Sequence, residues 1–265
     1  MATKAKRQLD LLDTFVARGQ SEFTFHDAYQ ALGTSASATA NMLRRLNEKG
    51  LVDKLIRGHY AIRPLGSLGT SATTEDLGQA VGAVFDGYPH RIAYASALSE
   101  LGLLNHPVRV VYVACTKQVR FTAVSCRPLR TIIEQHKTIY LEAEQLGKTW
   151  RSSLERALFE SAMRIDLIGS VERLTEALAA GASEANPERI KRLSKAFAAR
   201  GLAAERRLAS LATSLALPLE LSPQVHKRQP VVRLDPRDAD VIWTDERYRV
   251  AWNRDVDELR AIVSN

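Results

Sequence analysis

Leu9, Leu12, Phe15 and Val16 recur at the spacing of one helical face, and Arg18-Gly19 closes that run as a C-cap. A short second helix carries Phe25, Ala28 and Leu32 on its apolar side. Thr24 with Asp27 has the form of a capping box at its start, and Gly33 stops it. A third helix is predicted from about Ala36 to Lys49, capped by Thr34 or Ser35. At ~100° per residue, Thr39, Leu43 and Leu46 share one inward stripe, Ser37, Asn41 and Arg44 lie on the opposite side, and Arg45 sits on the flank. Gly50 ends the helix. Leu51 to Ile56 and His59 to Ile62 read as two strands joined at Arg57-Gly58, a tight turn in which glycine supplies the positive φ. Three helices and a hairpin in this order predict a winged helix-turn-helix domain over residues 1–65.

Residues 66–73 fall in PLGSLGTSAT, whose proline, glycine and serine content predicts a linker. A second domain, 74–265, follows. Residues 75–85 and 95–101 have helical spacing, whereas 108–115, 121–125, 131–135 and 138–142 read as strands. A run of helices begins at Ser153 and continues over 171–180, 187–199 and 203–215, with Pro187 as a start and Gly181 and Gly201 as stops. From Leu219 the chain reads as extended around 231–234 and 248–252, and a last helix covers 256–262. Strands clustered ahead of helices make this domain mixed α+β, so the fold class expected for the chain is α+β with an N-terminal winged helix-turn-helix.

A composition of 45% hydrophobic and 25% charged residues over 265 positions is that of a globular chain with a substantial core. The longest apolar runs, such as Val108 to Cys115, fall far short of the ~20 residues of a spanning helix. MATKAKRQLDLLD lacks the apolar centre of a signal peptide, so a cytoplasmic location is expected. Cys115 and Cys126 form no CxxC pair and read as buried free thiols on neighbouring strands. The +7 net charge is uneven: residues 1–63 hold ten Lys/Arg against six Asp/Glu. A basic N-terminal unit suits phosphate binding, because neutralised phosphates release their condensed counterions.

The candidate DNA-binding residues are Ser35, Ser37, Asn41, Arg44, Arg45, Lys54, Arg57 and His59. Asn can pair bidentately with adenine and Arg with guanine in the major groove, which assigns base reading to Asn41 and Arg44. Ser35 and Ser37, near the N-terminus of the third helix, are placed to hold phosphate with its free backbone N–H groups. Arg57 and His59 at the wing tip face the flanking minor groove or backbone. The second domain offers no phosphate loop, nucleophile elbow or paired metal-binding histidines, so no catalytic residue, metal or cofactor is expected. Glu142 and Glu144 alternate on a predicted strand, but no partner acid or Glu-x-Lys accompanies them, and a solvated strand edge is the plainer reading. His90, His106, His136 and His226 are scattered and read as structural or surface residues. Lys191, Arg192, Lys195 and Arg206 form a predicted basic surface that would suit an acidic partner.

The order of several segments then carries a resemblance. A winged helix, YASALSELGLL (Tyr94 to Leu104), a strand cluster, SSLERALFES (Ser152 to Ser161), ERRLASLATSLALPL (Glu205 to Leu219) and RVAWN (Arg249 to Asn253) resemble the AbiEi antitoxin family of abortive-infection toxin–antitoxin systems over nearly the whole chain. Glu100 stands where relatives often carry histidine. The resemblance implies an autorepressor whose N-terminal domain binds inverted repeats in its own promoter, and on a palindromic site cooperative binding of two copies is expected, because half-site spacing mirrors protein symmetry. It also implies an antitoxin domain that counteracts a nucleotidyltransferase-type toxin, with or without a stable complex. Arg156 and Arg207 match recurring arginines of the family's helices, and their expected role is to pair with nearby carboxylates and hold those helices in place. The alternative from the same residues is a stand-alone regulator whose second domain senses a ligand or oligomerises. A third class, an enzyme on DNA that uses Glu142 or Glu144, is not expected.

Overall fold

The computed structural model describes residues 2–20, 22–56, 58–63, 77–119, 123–124 and 127–263. Arg57, the linker at 66–73 and Cys126 lie outside the described residues. The chain forms two compact units. One gathers Met1–Tyr88, Val119–Arg130 and Gly147–Thr149, and the other Pro89–Gln118, Thr131–Leu146 and Trp150–Asn265. The first unit therefore extends beyond residues 1–65: it runs on to Tyr88, which takes in the helix expected to open the second domain, and two short later segments join it.

The first unit opens with helix α1 (Ala2–Val16), strand β1 (Glu22–Thr24), helices α2 (Phe25–Leu32) and α3 (Ala36–Glu48), and strands β2 (Val52–Ile56) and β3 (His59–Ile62). β1 was not expected between helices. It pairs antiparallel with β3, which also pairs with β2, so β3 is central in a three-stranded sheet. On α1 the buried residues are Leu11, Leu12 and Phe15, whereas Leu9 and Val16, expected on the apolar face, are more than half exposed. Phe15 stacks on Phe23 at 4.4 Å, and Phe23 in turn on Tyr60 at 5.7 Å. This aromatic column, with Ala28, Leu43, Leu46 and Val52, forms one core that binds helices to sheet. The Thr24/Asp27 capping box starts α2 as expected, and the two Thr24 hydrogen bonds hold the Asp27 carboxyl below its ordinary range. Gly33 closes α2 in the left-handed conformation. Helix α4 (Leu77–Val84) completes this stretch.

The chain then enters the second unit with β4 (His90–Ile92), α5 (Tyr94–Glu100) and β5 (Val111–Cys115). It returns to the first unit as a hairpin of β6 (Ala123–Val124) and the start of β7 (Arg127–Ile133). Next come β8 (Ala143–Leu146) and β9 (Thr149–Ser152), then helices α6 (Leu154–Met163), α7 (Ile165–Ile168), α8 (Val171–Gly181), α9 (Pro187–Ala196) and α10 (Ala198–Ser214). Residues 138–142 are not the expected strand. Hydrogen bonds from Thr138 and Ile139 to the Gln135 carbonyl coil them into turns, and β8 and β9 follow instead. β4 pairs antiparallel with β5 and parallel with β9.

Helix α6 is the centre of the second unit: α5, α7, α8, α9 and α10 all pack on it, and Glu155 to Ala162 are buried without interruption. Gly201 lies inside α10 and does not stop a helix. A Cβ there would stand 2.3 Å from the Ser194 carbonyl oxygen, so glycine permits α10 to approach α9. The break comes earlier, at Ala198, whose backbone is left-handed. The tail forms a small sheet in which β10 (Val232–Arg233) runs parallel and β11 (Trp243–Asp245) antiparallel to β12 (Val250–Trp252), and α11 (Val256–Val263) packs on α8. Trp252 is fully buried, stacks on Trp243 and donates to Ser210 of α10. Mixed α+β is thus the observed class. Among the described residues no helix is long and apolar enough to cross a membrane.

Candidate nucleic-acid interface and the ion cluster of the second unit

Helix α3 buries Thr39, Leu43 and Leu46 against the core and leaves Ser37, Asn41, Arg44 and Arg45 exposed, the division its sequence predicts. Ser35 caps it by accepting from the Ala38 N–H, and the Thr34 and Thr39 hydroxyls stand 3.2 Å apart. The cap uses the Ser35 oxygen only as an acceptor, so its O–H, like that of exposed Ser37, can still donate to a ligand. Arg44 pairs with Glu48 one turn on, both more than half exposed. Such a pair contributes ~0.3–0.5 kcal/mol, little enough for the guanidinium to leave it for a stronger acceptor. Exposed Asn41 and Arg44 thus share a ridge about two helical turns long with Ser37.

Gly58 turns the hairpin with φ +86°, and its carbonyl accepts from the Phe25 N–H, tying the turn to the start of α2. At the other end of the hairpin, Arg63 donates to both carboxylate oxygens of Asp53, at 2.9 and 2.7 Å, clamping β2 to the end of β3. Lys54 is exposed and His59 half-buried beside the turn. Of the eight expected DNA-binding residues, Arg57 lies outside the described residues. The other seven divide between the α3 ridge and the hairpin.

Of the acidic and basic residues expected on the surface of the second unit, Glu142 and Arg206 are placed differently, whereas Lys191, Arg192 and Lys195 are exposed. Glu142 is not on a solvated strand edge: in a left-handed turn, it accepts from Arg189 and Arg192 of α9, and Glu144 pairs with Arg151. No group of three His, Cys, Asp or Glu residues able to hold a metal ion occurs among the described residues. Lys191, Arg192 and Lys195 are exposed on α9, with Lys191 beside Glu188 and Arg192 on Glu142. Arg206 is not on that surface. It is buried and donates to the carbonyls of Tyr248, Pro230 and Arg249, which joins α10 to the tail sheet. Arg207 likewise bonds the carbonyls of Ala162 and Arg233 and, among the described residues, no carboxylate; burial lowers its pKa to about 10. His90 is buried, whereas His106, His136 and His226 are exposed. Cys115 is buried and free.

A cluster that the sequence did not announce occupies the heart of this unit. Arg91 of β4, fully buried, donates to Glu160 at 2.6 Å, Glu134 at 3.1 Å, Ser152 at 2.8 Å and the Ile139 carbonyl. Arg156 reaches the same two carboxylates, at 3.1 Å to Glu160 and 2.5 Å to Glu134. The other Glu160 oxygen accepts from the Tyr94 N–H at 2.6 Å and the Ser152 hydroxyl at 2.8 Å. Two guanidiniums thus meet two carboxylates, which makes the group neutral. Burial alone would raise Glu160; Arg91, Arg156 and its hydrogen-bond donors outweigh that and hold it below the ordinary carboxylate range. The bond to Glu160 also fixes Tyr94, which takes a left-handed backbone at the start of α5. Arg156 sits over the Phe197 ring at 4.6 Å, and its Nη1 has no hydrogen-bond partner among the described residues.

No family model matches the chain, and no curated protein matches it. Among solved structures the chain is similar to the RV2827C protein from Mycobacterium tuberculosis, at 20% identity and a TM-score of 0.68. The likeness covers 99% of this chain and 95% of that one, so the two share a fold across both units.

Proposed function

We propose that the chain is a non-enzymatic, cytoplasmic transcriptional repressor and antitoxin. In this reading the first unit is a winged helix-turn-helix that binds inverted repeats in its own promoter, and the second counteracts a nucleotidyltransferase-type toxin. The observation that carries DNA binding is the division of α3: a buried Thr39–Leu43–Leu46 stripe backs an exposed Ser37–Asn41–Arg44 ridge. Side chains of these types on an outward helix are what major-groove readout uses, and a hairpin following α3, here turning at Gly58, is what a wing would be made from. The element order α1, β1, α2, α3, β2, β3 supports the same reading.

Support for the antitoxin half comes from the segments that carry the AbiEi resemblance. Tyr94 to Leu104 supplies α5, Ser152 to Ser161 supplies α6, Glu205 to Leu219 supplies the end of α10, and Arg249 to Asn253 contains β12. α5 and α10 pack directly on α6, and β12 packs on α10, so the four segments build one continuous core. The test separates the two roles in the full-length chain, because part of the first unit comes from residues beyond 74 and a simple truncation would divide it. Expressed from an unrelated promoter, Asn41→Ala/Arg44→Ala should rescue cells from the neighbouring toxin yet fail to repress the native promoter. Loss of rescue by this folded variant, or retained repression, would refute the division of labour.

A further inference from the structure

The second unit holds a cavity of about 430 Å³, within the range of small-molecule sites. Arg156 and Phe197 line it, together with Tyr94 and Ala198, two non-glycine residues with left-handed backbones. Backbone strain of this kind persists where surrounding structure holds it and concentrates at ligand sites. Here the Tyr94 N–H is held by Glu160.

Charge decides what the cavity would accept. Arg156 is 1% exposed and its Nη1 has no hydrogen-bond partner among the described residues, so a bound acceptor would satisfy a buried donor. Lys137 and Arg200 stand exposed on the same wall and make no ion pair among the described residues; Arg164 is held bidentately by Asp166. Glu134 is the one carboxylate on the wall, and Arg91 and Arg156 already engage both its oxygens. The cavity therefore presents donors and positive charge with no uncommitted carboxylate, beside the apolar surface of Met163 and Phe197.

We propose that this cavity binds a small organic anion, a carboxylate or phosphate monoester, with its charged group directed to Arg156, Lys137 and Arg200 and its apolar body against Phe197 and Met163. This site is independent of the α3 ridge and of the antitoxin reading. The test is calorimetric titration of the full-length protein with benzoate, phenyl phosphate, inorganic phosphate and, as a neutral counterpart, benzyl alcohol. Saturable binding of benzoate or phenyl phosphate is expected, and which binds more tightly tells a carboxylate site from a phosphate site. Inorganic phosphate and benzyl alcohol, each lacking one half of the ligand, should bind at least about tenfold more weakly, as loss of a charged hydrogen bond or an apolar contact implies. Lys137→Ala/Arg200→Ala, confined to exposed side chains, should weaken the anion by about tenfold or more while the unliganded melting temperature stays the same. A crystal soaked with the tighter anion should place its charged group within hydrogen-bond distance of Arg156 Nη1. Absence of saturable anion binding, equal binding of benzyl alcohol, an unaffected double variant or a ligand seated elsewhere would overturn the proposal.

Discussion

Replacing Glu160 by glutamine perturbs the second unit at its most connected point. The carboxylate is fully buried and accepts four hydrogen bonds, from Arg91, Arg156, the Tyr94 N–H and Ser152. The amide is nearly the same size, so no cavity opens. The change leaves Arg91 and Arg156 sharing the single charge of Glu134, and wherever the amide nitrogen points it turns a donor toward other donors. Breaking a buried ion pair from one side costs ~3–5 kcal/mol. The loss of two charge-assisted hydrogen bonds, at ~1.5–3 kcal/mol each, gives the same scale. All three tryptophans, Trp150, Trp243 and Trp252, lie in the second unit, so their fluorescence in a urea titration reports on its unfolding. With m at ~2 kcal/mol/M, the midpoint should fall by ~1.5–2.5 M. pH supplies a second readout with a definite sign. Glu160 is held below its unfolded value, so its contribution is present above the unfolded pKa and is lost as pH falls through the folded one. The wild type should lose part of its advantage over Glu160→Gln below about pH 4, where an unfolded carboxyl binds its proton. A midpoint shift equivalent to less than about 1 kcal/mol at neutral pH, the scale of an exposed pair, would refute the claim that this cluster holds the unit together.

Three further outcomes follow from local geometry. Gly201→Ala should destabilise the second unit by ~1–3 kcal/mol, since the new Cβ meets the Ser194 carbonyl of the backbone; Gly181→Ala, which meets the flexible end of Leu154, should cost clearly less in the same titration. Glu205 is raised by burial, so it favours the folded state below its unfolded pKa, and that contribution is lost as pH rises to the folded value. Glu205→Gln should therefore increase the urea midpoint at pH 7 and lose that gain in acid; a lower midpoint at pH 7 would contradict the assignment. Thr24→Ala removes the hydroxyl that accepts from the Asp27 N–H, while the backbone N–H of residue 24 still donates to the Asp27 carboxylate, and should lower stability by ~1 kcal/mol, measured by the melt of the helical circular-dichroism signal.

What the sequence revealed divides along physical lines. The α2 capping box, the α3 stripe and the turn at Gly58 depend on residues within a few positions of each other, and local spacing displays them. Arg156 was expected to pair with a nearby carboxylate, and Glu160, one turn on along α6, is such a partner. Their other partners were not legible: Arg91 comes from a three-residue strand and Glu134 from the end of β7, and only the sheet brings them to α6. The strands β1 and β4 are too short to show alternation. Gly201 looked like a helix stop because a glycine required by tight packing and one required by a left-handed cap look the same in sequence. Arg206 looked like surface charge beside Lys191 and Lys195, yet its acceptors are backbone carbonyls of the tail, some 24 to 43 residues away. Carbonyl acceptors leave no trace in side-chain pattern.

The most direct test of the central claim is footprinting of the full-length protein on its own promoter, with Asn41→Ala and Arg44→Ala run in parallel. Protection of an inverted repeat is expected for the wild type, and each variant should lose ~1–3 kcal/mol of specific affinity while binding unrelated DNA nearly as before. Occupancy by both variants equal to that of the wild type would remove α3 from base reading and contradict the account.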